Sequence, residues 1–328
     1  MKPKFPIDIV LPWVDGTDPV HQRKRMSYVT ARREDLFEDT GGNSRYESVG
    51  EIIHCLASIN IHAPFIRKIF IVTDNQDPDA DRIMSEMFPE GHIPMETIDH
   101  RIIFEGYEEY LPTFNSRAIE TMIWRIPGLS EHFILMNDDF MLLNNVSPED
   151  FFREEDVICY ARKRSAVWAR LMLRCRPERQ HKHVSFKGSM LNALDYIGPR
   201  RRYIHLSHAP RALRKSFFVG FFAAHPEAII RNISHRFRNP EQFNMQELFY
   251  MSESEKGKCV LISPRGKVLY MIPKKDSRYI ERKLRSFSRC RKALFCCANS
   301  LPVAEPQDRE KVLGWMKEHI DQNLRCSL

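Results

Sequence analysis

The feature that most constrains this chain is an apolar run that ends in two adjacent acids, His132-Phe133-Ile134-Leu135-Met136-Asn137-Asp138-Asp139. Such a run is typical of a buried strand that presents polar side chains at its carboxyl end. Two neighbouring carboxylates need a partner that offsets their charge, which a divalent cation, a nearby Arg or Lys, or water can supply. The alternative is a solvated turn in which Asn137 or Asp138 caps a helix. The run therefore predicts a strand followed by either a ligand site or a turn.

Strand and helix signals alternate along the first half of the chain. Strand-sized apolar runs occur at residues 7–14, 68–73, 96–98 and 132–139, and helical spacing occurs at residues 46–62 and 113–126. This alternation predicts an α/β fold, with a mostly parallel, Rossmann-like sheet and flanking helices. In a parallel sheet the carboxyl ends of the strands share one edge, so Asp15, Asp74 and the Asp138/Asp139 pair should converge there.

The second half has a different character, because helical spacing dominates it. Such spacing occurs at residues 189–197, 213–224, 241–251 and 305–328. We therefore expect an α/β sheet portion with the acidic site at residues 1–150 and a basic, helix-rich C-terminal portion at residues 151–328. The second portion would complete the site of the first within one integrated catalytic domain. A chain of 328 residues is long enough to bury the core of such a domain.

Positive charge is concentrated in the second half. The formal net charge is +7, and basic clusters lie at residues 162–164, 200–202, 211–215 and 283–292. A basic face suits anionic partners such as a nucleotide diphosphate, a membrane surface or a nucleic acid. No zinc-finger, helix-turn-helix or RNA-binding aromatic motif accompanies the charge, so nucleic-acid binding is not expected.

The apolar runs and the cysteines indicate the cellular compartment in which the protein is expected. The longest apolar runs are strand-sized and too short to span a bilayer, and no secretory signal is expected at the N-terminus. The eight cysteines include no CxxC pair and no zinc-finger spacing, which favours reduced thiols. These features predict a cytoplasmic protein, with peripheral contact with the inner membrane as one candidate interaction.

Acidic, histidine and arginine side chains together suit phosphoryl transfer. That reaction needs cations to offset the charge of the phosphates, positioning of the transferred group and a base. His208 is the candidate general base, because the ordinary pKa of histidine lies near neutrality. Arg238 offers a planar donor fork that fits a diphosphate. A divalent cation on Asp138 or Asp139 would bridge phosphate oxygens and assist the leaving group.

A Pro-led helix start carries two further candidates, Asn115 and Ser116, in Leu111-Pro112-Thr113-Phe114-Asn115-Ser116. Such a start could present backbone N–H groups to a phosphate. Each candidate also has a structural alternative. His208 could lie at a simple helix entry, Arg238 on a solvated basic face, and Asp15 in an ordinary turn.

Three ordered groups of motifs span most of residues 7–250. The first group runs from Ile7-Asp8-Ile9-Val10 through Trp13-Val14-Asp15-Gly16-Thr17-Asp18-Pro19. The second group runs from Ala63-Pro64-Phe65 through Thr73-Asp74-Asn75-Gln76, and continues from Leu111-Pro112-Thr113-Phe114-Asn115-Ser116 through Asn137-Asp138-Asp139. The third group consists of Asp195-Tyr196-Ile197-Gly198, His208-Ala209-Pro210 and His235-Arg236-Phe237-Arg238. Together they resemble the stealth family, which includes bacterial capsular polysaccharide phosphotransferases and the catalytic subunit of N-acetylglucosamine-1-phosphotransferase.

The resemblance implies transfer of a sugar-1-phosphate, commonly N-acetylhexosamine-1-phosphate from a UDP-sugar, to a saccharide hydroxyl. UMP would leave with the assistance of Mg²⁺ or Mn²⁺, and the product would be a phosphodiester in a capsular or other surface polysaccharide. Matched position by position, Asp138 and Asp139 fall in the metal-binding acidic site. Asp139, His208 and Arg238 match catalytic positions. The nucleotide-sugar is expected to contact four residues, namely Asp15, Asp74, Asn115 and Ser116.

Two positions depart from the family pattern. Ala57 precedes Ser58-Ile59 where the family usually has Arg, and Asn299-Ser300 stands where the fourth block usually has an Asn-Asp dipeptide. If the missing Asp is functional, metal binding or acceptor choice would differ. Two other functions therefore stay open. One is a metal-dependent glycosyltransferase that releases a nucleoside diphosphate, and the other is a non-catalytic carbohydrate-binding protein with a decayed site.

Overall fold

The computed structural model describes residues 3–31, 48–175, 186–272 and 278–327. The strands within this part are, in chain order, β1 (Ile7–Pro12), β2 (Lys68–Thr73), β3 (Met95–Asp99), β4 (His132–Leu135), β5 (Phe140–Leu142), β6 (Phe152–Arg153), β7 (Asp156–Ser165), β8 (Arg202–Leu206), β9 (Arg211–Arg214), β10 (Cys259–Ile262), β11 (Val268–Met271) and β12 (Phe295–Ala298).

The α-helices of the same part connect and cover these strands. They are α1 (Pro19–Ala31), α2 (Glu51–His62), α3 (Ala80–Met87), α4 (His100–Ile103), α5 (Ser116–Met122), α6 (Ala166–Arg174), α7 (Phe186–Asn192), α8 (Leu194–Ile197), α9 (Lys215–Ala224), α10 (Pro226–Ile233), α11 (Met245–Glu255), α12 (Tyr279–Arg289) and α13 (Pro306–Ser327). Within the described ranges, none of these helices is both long and apolar enough to cross a lipid bilayer.

The main sheet has five strands in the order β3-β2-β1-β4-β9. β3, β2, β1 and β4 run parallel, and β9 runs antiparallel to β4. Ile9 of the central strand pairs with Ile69 on one side and with Ile134 on the other. The central strands are buried on both faces, which explains why most of their residues are apolar. The predicted α/β fold with a mostly parallel sheet is confirmed.

Two smaller sheets extend the main one. β10, β7 and β6 form one of them, with β8 paired to β7, and β11, β12 and β5 form the other. β5 follows the Asp138-Asp139 pair directly, and its partner β12 comes from near the C-terminus. The pairs β4–β9 and β5–β12 each join a strand from residues 1–150 to a strand from residues 151–328. The second half therefore contributes strands as well as helices to the surroundings of the acid pair.

The helices in the structure differ in their bounds from those predicted by spacing, and two of the differences have a clear physical cause. The segment predicted as a helix at residues 213–224 begins as strand β9, and only its later part forms α9. Pairing with β4 satisfies the backbone of Arg211–Arg214, so this long-range contact prevails over local helical spacing. The helix predicted at residues 241–251 begins instead at Met245, because the side chain of Asn244 caps it by accepting a hydrogen bond from Glu247 N at 2.7 Å.

Candidate active site

Asp138 and Asp139 lie in a tight turn between β4 and β5, where Phe140 N donates to Asn137 O at 3.1 Å. A strand and not a helix follows the turn, so the helix-capping alternative is wrong. β9 runs antiparallel to β4, with Arg211 opposite Leu135. The chain just before β9 therefore runs beside the chain just after β4. This pairing brings His208 to the same end of the sheet as the two acids.

Burial and mutual repulsion govern the ionisation of the acid pair. Burial raises the pKa of Asp138 well above its ordinary value, and the charges of Asp139 and Glu51 raise it further. Burial also raises the pKa of Asp139, although hydrogen bonds from Cys297 Sγ at 3.4 Å and Asn299 Nδ2 at 3.3 Å oppose the shift. Ionisation of the two carboxyl groups in this turn is therefore unfavourable unless a cation binds there.

Glu51 is a third carboxylate near the pair that the sequence reasoning missed. It is the first residue of α2, is 4% exposed, and accepts a hydrogen bond from Val49 N at 2.7 Å. Burial raises its pKa, and the charge of Asp139 contributes to the same shift. A Glu in the first turn of a helix is so common that nothing in the sequence set this one apart.

Arg211 is a buried cation close to both halves of the site, and it was also missed. Its charge lowers the pKa of Asp139 and that of His208. Its Nε is buried without a hydrogen-bond partner in the described part of the chain. Arg211 was not predicted as a site residue because strand β9 was not predicted. Only the pairing of β9 with β4 directs Arg211 toward the acids.

His208 lies in an aromatic setting. Its ring stacks on Tyr270, with centroids 4.4 Å apart, and also faces Phe186 at 6.4 Å. Burial, followed by the charges of Arg211 and His205, lowers the pKa of His208 to about 4. The imidazole is therefore neutral at neutral pH, which is the form that can accept a proton. Because strand β9 and not a helix follows it, the helix-entry alternative for His208 is wrong.

Arg238, Ser116 and Asn115 come together in the structure. Arg238 Nη2 donates to Ser116 Oγ at 2.8 Å. The fully buried Asn115 donates through Nδ2 to the carbonyls of His235 and Phe237, at 2.8 and 2.9 Å, and its Oδ1 accepts from Arg117 N. The amide of Asn115 is thus occupied by protein partners, and in this structure it holds the loop that carries Arg238.

Asp15 and Asp74 form a separate group at the ends of β1 and β2. Asp15 Oδ1 accepts from Thr17 N at 2.8 Å, and Gln76 bridges the two loops by bonding both the N–H and the carbonyl of Asp15. Asp74 pairs with Lys24 Nζ at 2.6 Å. These acids share the sheet edge with Asp138 and Asp139, as predicted. However, no hydrogen bond or ion pair between described residues joins the two groups.

A divalent cation fits the acidic turn. Asp139 Oδ1 is buried and has no hydrogen-bond partner among the described residues. Oxygen ligands of this kind suit Mg²⁺ and Mn²⁺. In the described ranges no three His, Cys, Asp or Glu side chains are grouped as a full ligand set. The protein would therefore supply Asp138 and Asp139, and Mg²⁺ commonly completes such a partial set with substrate phosphates and water.

Two family models match the first two of the three groups of motifs, in the same order. The model of stealth protein conserved region 1 matches residues 5–32, and that of conserved region 2 matches residues 45–160. An exopolysaccharide phosphotransferase of Streptomyces coelicolor is 31% identical over 252 residues, which cover 75% of this chain and 39% of that protein. This chain thus spans about two fifths of the length of that relative.

Two other relatives are also exopolysaccharide phosphotransferases. An exopolysaccharide phosphotransferase of Mycobacterium tuberculosis is 28% identical over 81% of this chain and 47% of that protein. An exopolysaccharide phosphotransferase of Lactiplantibacillus plantarum is 30% identical over 256 residues, which cover 72% of each chain. With both conserved regions matched and this last relative covered over most of its length, the chain belongs to the stealth family.

Proposed function

We propose that this chain transfers a sugar-1-phosphate, with N-acetylhexosamine-1-phosphate as the first candidate, from a UDP-sugar to a saccharide hydroxyl. The product is a phosphodiester of a surface or capsular polysaccharide. The observation that supports the proposal is the antiparallel pairing of β9 with β4, because a neutral His208 and the acidic turn of Asp138 and Asp139 then share one end of the sheet.

His208 is the base of the proposed reaction. The acceptor hydroxyl gives its proton to the neutral imidazole as its oxygen attacks the phosphorus that carries the sugar. The bond from this phosphorus to the bridging oxygen breaks, and UMP leaves with that oxygen. A base whose pKa lies below neutrality is fully available at pH 7, although it accepts the proton less avidly than an ordinary histidine.

Cations on both sides of the diphosphate offset its charge. Arg238, which donates to Ser116 and lies in the loop that Asn115 anchors, would bind phosphate oxygens through its guanidinium. Arg211 lies buried beside His208 and Asp139 and contributes fixed positive charge. Asp138 and Asp139 would hold Mg²⁺ or Mn²⁺, which when bound stabilises charge on the leaving phosphate.

The nucleotide is assigned to the neighbouring group at the ends of β1 and β2. Asp15 and Asp74 lie at the sheet edge where α/β folds bind their ligands, and Lys24 adds a cation beside them. The family resemblance of the Asp15 loop supports the same assignment. Ligand contacts by these residues would place the uridine next to β1 and the reacting phosphorus next to β4.

The chemical linkage in the product tests the proposal. The full chain is incubated with a UDP-N-acetylhexosamine, Mg²⁺ and an oligosaccharide acceptor, and the product is examined by ³¹P NMR. A new phosphodiester resonance is expected, whereas a product without phosphorus would refute phosphotransfer. Asp139→Asn should abolish the resonance, and Asp81→Asn, the same change at an exposed site on α3, should preserve it.

A further inference from the structure

Helix α6 presents its large apolar side chains to solvent. Val167, Trp168 and Leu171 are 63%, 61% and 48% exposed, whereas the small Ala166 and Ala169 are buried. A surface helix ordinarily directs its large apolar residues toward the core. Contiguous exposed apolar surface of this kind marks a binding site for another molecule.

Exposed cations flank α6 at both of its ends. The end of β7 exposes Arg162, Lys163 and Arg164 immediately before α6, and Arg174 is exposed at the end of the helix. Residues 157–175 contain five Arg or Lys residues and no Asp or Glu. Ser165 caps α6 by accepting a hydrogen bond from Trp168 N at 3.1 Å, which fixes the helix directly after the basic strand end.

β8 adds further cations beside α6. It pairs antiparallel with the end of β7, so that Ser165 lies opposite Arg202. Arg201 and Arg202 are both exposed, and the carbonyl of Arg201 accepts a hydrogen bond from Ala166 N at 2.9 Å. We call Val167, Trp168, Leu171 and the exposed cations of residues 162–164, 174 and 201–202 the α6 face.

We infer that the α6 face binds an anionic lipid bilayer. An interfacial helix buries Trp and aliphatic side chains at the boundary between headgroups and acyl chains, while flanking Arg and Lys contact lipid phosphates. Each cation near an anionic surface strengthens the attraction to it. A nucleic acid would match the charge but not the exposed Val167 and Leu171, so the apolar content favours a bilayer.

A second helix, α7, lies between α6 and the candidate base. α7 packs against α6 and begins with Phe186, which is 38% exposed and faces the ring of His208. A bilayer bound at the α6 face would therefore lie one helix away from the ring of His208. One consequence rests on the proposed function, namely that a membrane-anchored saccharide acceptor would reach His208 from this side. The lipid binding itself does not depend on catalysis.

Cosedimentation of the full chain with vesicles tests the inference. The chain should partition onto vesicles of phosphatidylcholine mixed with phosphatidylglycerol, at least about tenfold better than onto phosphatidylcholine alone. High salt should weaken the binding. The double variant Trp168→Ser/Leu171→Gln should bind anionic vesicles about tenfold less tightly. Val219→Ser, a matched change at a 46% exposed position of α9, should bind like the wild type.

Three outcomes would overturn the inference. They are no binding to anionic vesicles, equal binding by the wild type and the double variant, and a dimer that dissociates on Trp168→Ser without any vesicle binding. The last result would assign the face to contact between copies of the chain. Circular dichroism should show an unchanged fold for all variants, because the substituted side chains are exposed. Turnover of a water-soluble acceptor should also be unchanged in the double variant.

Discussion

The ring of His208 lies against the ring of Tyr270, with centroids 4.4 Å apart and planes inclined by 22°. Tyr270 belongs to β11, where it pairs in register with Cys297 of β12. The Cys297 thiol in turn donates to Asp139 Oδ2 at 3.4 Å. Two neighbouring strands from the C-terminal part therefore contact both the candidate base and the acidic turn, and they couple the environments of the two.

The pH dependence of kcat/KM should report the low pKa of His208. Burial and the charge of Arg211 lower that pKa from 6.5 to about 4, so the base stays neutral where an ordinary histidine titrates. On account of His208, activity should show no acid limb near pH 6.5 and should fall as the pH drops toward 4. His208→Ala should lower kcat by about 10² to 10⁴ across the plateau.

Tyr270 provides the control for this assignment. Tyr270→Ala removes the ring that shields the imidazole from water, so the pKa of His208 and the acid limb should rise toward 6.5. Tyr270→Phe retains the ring and should leave the limb in place. Identical limbs in the two variants would show that the stacked ring does not set the pKa of His208.

Asp138→Asn should stabilise the metal-free protein at neutral pH, raising the thermal midpoint by about 2 °C. Burial and the charge of Asp139 raise the pKa of Asp138 above 3.8. The folded chain therefore binds more protons than the unfolded chain between these two pKa values, and the free energy of unfolding falls as the pH rises through that window. The neutral amide removes this loss, so the difference should vanish near pH 4.

Added Mg²⁺ should reverse the order of the two proteins. The wild type gains stability from binding the ion, and Asp138→Asn should gain far less. Differential scanning fluorimetry with and without Mg²⁺ measures both effects. An equal rise in the midpoint of the two proteins would exclude Asp138 as a metal ligand.

Arg238→Ala should lower kcat/KM by about 10² to 10³, because it removes a fixed cation from the developing charge on the phosphates. Arg238→Lys should restore little of the activity, since an ammonium lacks the planar donor fork. Ser116→Ala removes one contact to the guanidinium and should cost about tenfold or less. Steady-state kinetics at varied donor concentration measures all three, and near-wild-type activity of Arg238→Lys would contradict a bidentate role.

Asn115→Ala should destabilise the fold by about 3 kcal/mol, because it removes the hydrogen bonds that the buried amide donates to the carbonyls of His235 and Phe237. The neighbouring change Ser116→Ala should cost less than about 1 kcal/mol. Urea denaturation provides the comparison. If Asn115→Ala proves as stable as the wild type but has a raised KM for the donor, Asn115 would be a direct ligand and not an anchor of the loop.

The sequence was sufficient to predict the sheet strands that end in acids. β1, β2 and β4 are buried on both faces, so their sequences are mostly apolar and can be recognised as strands without knowledge of their neighbours. The positions of Asp15, Asp74, Asp138 and Asp139 at one sheet edge follow directly from the parallel order. Local pattern and tertiary structure agree for these elements.

The partners of those acids could not be predicted in the same way. β9 is the short segment Arg-Ala-Leu-Arg, which merges with the helical spacing of α9 and becomes a strand only by pairing with β4. The contact of Asn299 with Asp139 depends likewise on the pairing of β12 with β5. Arg211 and Glu51 therefore remained hidden, because strand pairing and helix packing that join distant parts of the chain bring them to the site.

The nucleotide released in the reaction tests the central claim most directly. The chain is incubated with a UDP-N-acetylhexosamine, Mg²⁺ and a saccharide acceptor, and the nucleotides are quantified by mass spectrometry. Attack at phosphorus predicts UMP in an amount equal to the sugar phosphate transferred. Release of UDP without UMP would contradict phosphotransfer, because it would mean that the acceptor attacks the anomeric carbon.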